Sequence, residues 1–280
     1  MNPLRPSSLR RARLAGLLGG LLCLLALTPV AGASSQYQEF SDFTTPLPLK
    51  PGDTLVLGVV GGWERWDKER IVRRIALDVR EKHLAGVYAE TVENHRMELA
   101  RELILKALDA NNDGKLEGEE KTGARLIIYG QSLGGSAAVR YARELGEEGI
   151  PVLLLVSIDS YGDGDELVSP NVAAALNIYQ RDHLFIKGEG NFAAEDPART
   201  KILGNYRLRY RGKGVDDLGV QDYAEEPWIR RMFIGSHLKM EYDSRVRNMV
   251  REAVFQHIPQ ARRPVSAPSP SARVEPSADH

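Results

Sequence analysis

The sequence has a single cysteine, Cys23, among 280 residues. That excludes an intramolecular disulfide and any metal cluster built on several thiolates. Charge of neither sign dominates, with 37 Lys and Arg against 38 Asp and Glu. Such a balance lacks the basic footprint of a nucleic-acid-binding surface, so no nucleic-acid partner is expected. Without a disulfide, stability has to come from an apolar core.

The most conspicuous apolar run lies at the start. Arg5, Arg10, Arg11 and Arg13 precede Leu14 to Val30, and Ala31-Gly32-Ala33 follows in an A-x-A pattern. This reads as a cleaved secretory signal over residues 1–33, and the expected location is secreted or periplasmic. An uncleaved anchor is the alternative, although 17 apolar residues are at the short limit for a span. Membrane contact is expected only through this segment, if it is retained. Arg13 stands where a twin-arginine signal needs an apolar residue, and Leu22 is too large for a lipoprotein box at Cys23. Cleavage would also remove Cys23 and four arginines but no acid, moving the formal charge from −1 to −5. The remainder, from Ser34, is long enough for one sizeable α/β domain over 34–258. Residues 259–280, rich in Pro, Ser and Ala, read as a disordered tail.

Between the ends, strand and helix patterns alternate. Continuous apolar runs at Thr54 to Val60, Leu126 to Tyr129 and Pro151 to Ile158 suit strands buried on both faces. Shorter strands are expected at Val87 to Val92, Ala175 to Tyr179 and Ile202 to Tyr210. Helical periodicity follows Asp67 through Val79 and recurs from Asn94 to Leu108, from Ser136 to Leu145 and from Ser244 to Phe255. This order predicts an α/β fold with a mostly parallel sheet and helices on both faces. Reactive groups then belong at the carboxyl ends of the strands.

Directly after the Leu126 strand comes Gly130-Gln131-Ser132-Leu133-Gly134, a G-x-S-x-G match that opens a helix. Ser132 is the candidate nucleophile, since glycines at the flanking positions permit a sharp strand-to-helix turn. A serine needs a base held by a third group, and in this strand–turn–helix architecture the chain order is Ser, acid, His. His237, past the last strand and ahead of the final helix, is the candidate base, with His183 its rival. His257 reads as a helix C-terminal cation and His280 lies in the tail. Asp159 is the first polar residue after the Pro151 strand and the candidate acid, with Asp182 the competitor. Backbone N–H groups of Leu133 and of Gly62 or Trp63, after the first strand, are the candidate oxyanion donors. Asn94 is expected to cap a helix, His95 to sit at the rim, and the stretch from Arg181 to Asn205 to overlie the site.

Taken together, these residues resemble the α/β-hydrolase superfamily over roughly residues 54–257. The resemblance implies that Ser132, Asp159 and His237 form a triad, with no large cap domain. It further implies a carboxyl ester, lipid ester or thioester substrate. Many members place the acid one strand later, near Asp182, and the H-G-G-G motif of some lipases is absent.

One further motif is unrelated to the serine. DANNDGKLEGEE, residues 109–120, matches the EF-hand loop with Asp109, Asn111, Asp113, the Lys115 carbonyl, Glu117 and Glu120 at ligand positions and Gly114 at the bend. Calcium is therefore expected as a structural cofactor, with no organic cofactor. A different class of function stays open: a non-catalytic, calcium-stabilised secreted binding protein on the same fold.

Overall fold

The computed structural model describes residues 38–62, 70–182, 186–210, 226 and 228–259. The expected signal and nearly all of the tail lie outside them, as do Trp63, Asp67 and His183.

Six parallel strands form the main sheet. They are β1 (Thr54–Val60), β2 (Val87–Glu93), β3 (Leu126–Gln131), β4 (Val152–Ile158), β6 (Val172–Gln180) and β8 (Lys201–Leu208). Their order is β2-β1-β3-β4-β6-β8. Two dipeptide strands, β5 (Leu167–Val168) and β7 (Ala193–Ala194), pair separately. The helices are α1 (Ile71–Glu81), α2 (Met97–Leu108), α3 (Gly118–Thr122), α4 (Leu133–Glu147), α5 (Trp228–Tyr242) and α6 (Ser244–His257). This is the parallel α/β architecture that the alternation predicts.

Two apolar cores explain the layering. Ile71, Ile75 and Val79 of α1, with Val246, Val250 and Val254 of α6, pack on Val56, Ile127 and Val156. On the other face Leu99, Leu103 and Ile104 of α2, with Ala138, Ala142 and Leu145 of α4, pack on Leu55, Leu57 and Ile128. Successive strand residues therefore feed opposite cores, which is why β1 and β3 are buried along their whole length.

The edge strand β2 is capped by the segment before β1. The Gln38 amide donates to the Thr91 carbonyl at 2.7 Å and accepts from the Glu93 N–H at 3.1 Å, copying a ladder pair. Beside it, buried Glu90 takes four bonds on Oε1, from the N–H and hydroxyl groups of Thr44 and Thr45. Its Oε2 accepts from Arg80 at 2.6 Å.

Three helix expectations need correction, the first being that the helix expected from Asn94 begins at Met97. α4 begins at Leu133, three residues before the expected Ser136, because the glycine pair Gly134-Gly135 is part of its first turn. α5 contains His237, which the sequence pattern places in a connection.

Glu90→Ala should destabilise the protein by about 3 kcal/mol or more, since bonds to a charged acceptor are each worth about 1.5–3 kcal/mol. Urea unfolding measures the loss, and limited proteolysis should then cut first within residues 38–45.

Candidate active site

Three residues gather at the carboxyl ends of β3 and β4. Ser132 follows β3 with φ 57° and ψ −127°, and its N–H donates to the Ile158 carbonyl at 3.0 Å. Asp159 follows β4 with φ 44°. Non-glycine residues in this region each cost about 1–3 kcal/mol and persist only where the surroundings impose them. Here the surroundings are backbone: a Cβ on Gly130 would fall on the Gly134 carbonyl, and one on Gly134 on the Val59 carbonyl. Only glycines let α4 start so close to β3.

Asp159 is fully buried. Its Oδ1 accepts from the Gln180 backbone N–H at 3.0 Å, and Oδ2 accepts from the Gln180 side chain at 3.0 Å. The same Oδ2 lies 2.6 Å from His237 Nδ1. Asp182 is engaged elsewhere, accepting from the Tyr210 N–H at 2.6 Å and from Arg207 at 3.4 Å. Of the two carboxylates, Asp159 is the one in contact with the imidazole.

His237 lies on α5 beyond a kink at Ile234 (φ −136°, ψ 22°), where Gly235-Ser236 interrupts the apolar pattern. The ring is buried. Burial disfavours the imidazolium, but the Asp159 hydrogen bond and the charges of Asp159 and Glu241 outweigh it, so the pKa stands above its ordinary value. His237 Nε2 lies 3.2 Å from Gln131 Nε2. Ser132 Oγ makes no hydrogen bond among the described residues, so the serine and histidine are brought to one strand edge without being coupled.

Around this centre runs a buried polar network absent from the sequence reading. Gln131 Nε2 also donates to Glu241 at 3.1 Å. Arg70 donates to Glu241 and, at 2.7 Å, to Glu226, which also accepts from the Tyr242 hydroxyl at 2.9 Å. The His237 and Glu241 spacing, i and i+4 on a helix, is a usable signal once α5 is recognised as helical.

Leu133 opens α4, so its N–H belongs to the first-turn donors without an intrahelical acceptor, and the residue is exposed. Gly62 follows β1, with its carbonyl held by the Asn94 amide at 2.7 Å. Trp63 lies outside the described residues. Asn94 thus pins the loop after β1, donating also to the Val60 carbonyl at 3.1 Å, and the cap residue of α2 is Arg96 instead. His95 is half-exposed beside Glu93, a rim position. The 186–190 stretch packs over Asp159, with the Gly188 N–H on the Gln180 carbonyl and the Glu189 N–H on the Ser160 carbonyl.

In the 109–120 loop, Asp109 accepts from the Asp113 and Gly114 N–H groups at 3.1 and 2.8 Å, and Asp113 from the Lys115 N–H at 2.9 Å. Glu117 and Glu120 form a reciprocal capping box on α3, and Glu120 Oε1 reaches the Ala110 N–H at 3.0 Å. Gly114 bends the loop at φ 79°. The donor set is all oxygen and suits a hard cation. Its carboxylates are turned to loop amides, and no group of three His, Cys, Asp or Glu side chains is clustered as a metal site among the described residues.

A parallel α/β sheet carrying a strained serine and a paired Asp–His at adjacent strand ends defines the site. No family model matches the sequence, and no curated protein is similar to it. Among solved structures, a cutinase-like protein from Cryptococcus sp. is similar at 13% identity and a TM-score of 0.38, covering 74% of this chain and 95% of that one. A likeness that distant assigns neither activity nor substrate.

Because the folded-state pKa of His237 is raised, its protonation adds stability that is complete below the unfolded value of about 6.5 and is lost as pH rises through the folded value. An NMR titration of the ring should place the folded value above about 6.5, and Asp159→Asn should lower it.

Proposed function

We propose that the protein is a serine hydrolase that cleaves a carboxyl ester, lipid ester or thioester through an acyl-enzyme on Ser132. The observation that carries this reading is the Ser132 turn, strained at φ 57° and standing beside a buried Asp159–His237 pair. Strain of this kind clusters at reactive sites.

In the proposed reaction Ser132 Oγ attacks the acyl carbonyl while its proton passes to His237 Nε2. Asp159 keeps the Nδ1–H bond and stabilises the imidazolium. The Leu133 N–H, with a donor from the Gly62-Trp63 loop, receives the oxyanion. The imidazolium then gives its proton to the leaving alcohol or thiol, and a water activated by the same nitrogen releases the acid. Export through residues 1–33 belongs to this proposal. Among the described residues no helix is long and apolar enough to cross a membrane.

A second reading, a binding protein without catalysis, draws on the uncoupled Ser132. Fluorophosphonate labelling separates the two: covalent modification is expected, and Ser132→Ala should abolish it. Asp159→Asn should cut ester hydrolysis by about 10³-fold or more, and Asp182→Asn by much less. No labelling of the folded protein would sink the enzyme reading.

Calcium at Asp109, Asn111, Asp113, Lys115, Glu117 and Glu120 is proposed as a structural brace, because the loop leads through α3 into β3. Saturating calcium at about 100 times Kd should stabilise the fold by about 2.7 kcal/mol. Thermal unfolding with and without chelator measures this, and Glu120→Gln should erase the difference.

A further inference from the structure

His237 Nε2 is the nitrogen that must take the Ser132 proton, yet its partner in the structure is the Gln131 carboxamide at 3.2 Å. Glu241 decides which end of that carboxamide faces the ring. Its Oε1 lies 3.1 Å from the same Gln131 atom, and a carboxylate only accepts, so the atom is the NH₂ nitrogen. That nitrogen has two hydrogens, one for Glu241 and one for the imidazole. Nδ1 already faces the Asp159 carboxylate at 2.6 Å, so the ring is a neutral Nδ1–H tautomer with Nε2 as acceptor. A ring nitrogen has one in-plane lone pair, and Gln131 occupies it.

Resting on the serine-hydrolase reading, we infer that Gln131 is a positioning residue that holds His237 uncoupled from Ser132 in the resting protein. Catalysis starts when the Ser132 hydroxyl replaces the Gln131 amide on Nε2. The exchange is enforced by proton balance. Once Nε2 has taken the serine proton it is a donor and cannot face an NH₂ group. The amide must withdraw or present Oε1, which is buried without a hydrogen-bond partner. Turning Oε1 toward the ring would bring it against Glu241, and Arg70 fixes Glu241 in place. The resting arrangement is therefore restored when the proton leaves. Asp159 after β4 and Glu241 from α5 favour the imidazolium, whereas burial and Arg70 oppose it.

Ring ¹⁵N shifts of His237 in the full chain test the contact directly. The Nε2 resonance should keep its hydrogen-bonded position in Ser132→Ala and move in Gln131→Leu; the reverse pattern overturns the inference. Gln131→Leu should also speed fluorophosphonate labelling of Ser132 by about fivefold, the worth of one net hydrogen bond. A labelling rate unchanged or reduced in folded Gln131→Leu overturns it too. Should that variant not fold, Gln131→Met removes the same donor at similar side-chain length, and it too should speed labelling; an unchanged or reduced rate counts against the role. If the wild type is not labelled at all, the hydrolase reading fails, whereas the ring shifts still decide whether Gln131 holds Nε2.

Discussion

The carbonyls of Val59 and Val60 press on Gly134, and the carbonyl of Gly134 presses on Gly130. These backbone contacts leave no room for a Cβ at either glycine, and the geometry of the site depends on them. Because the first turn of α4 lies directly against β1 and β3, the residue between β3 and α4 has to pass through φ 57°. Ser132 thereby turns the chain from β3 into α4 while its N–H stays on the Ile158 carbonyl of β4. Asp159, at the next strand end, is turned through φ 44°. Two such strained residues cost about 2–6 kcal/mol together, and the two apolar cores beneath them make that cost tolerable.

The other half of the site is held by charge. Leu238 and Met240 bury apolar surface from α5, but its polar side chains fix its register. Glu241 is bound to Arg70 at the start of α1 and to Gln131 at the end of β3, while His237 is bound to Asp159. Burying an ion costs several kcal/mol unless its partners are complete. Arg70 meets that condition by serving Glu241 and Glu226 at once. The position of His237 therefore depends on residues far from it in sequence, through contacts that apolar periodicity does not reveal.

This contrast explains what was legible. Thr54 to Val60, Leu126 to Tyr129 and Pro151 to Ile158 are continuous apolar runs because both faces of the sheet are covered, so strands, direction and layers follow from the pattern. The serine turn was legible because glycine at two fixed positions is a steric requirement. Asp159 was legible as the first polar residue beyond a buried strand, although Asp182 passed the same test and only the contacts of each separate them. α5 was not legible: Gly235-Ser236 and the kink at Ile234 break its apolar stripe. The role of Asn94 is hidden for a related reason. A polar residue between a strand and a helix suits a cap, whereas here its amide serves the carbonyls of the preceding loop.

Gln131 carries no signal in the sequence because it stands at an unspecified position of the motif, yet strand geometry gives that position a defined place. Side chains along β3 alternate between the two cores, with Ile127 and Tyr129 on the face of α1, α5 and α6. Gln131 continues that series and points to the face from which His237 arrives. Position 131, directly before Ser132, therefore meets the imidazole of His237. An apolar residue there would leave the imidazole nitrogen to the serine alone. A carboxamide anchored by a carboxylate, as here, competes for the nitrogen and fixes which tautomer waits for it. The coupling of serine to histidine then depends on the group at position 131 as well as on the distance between the two side chains.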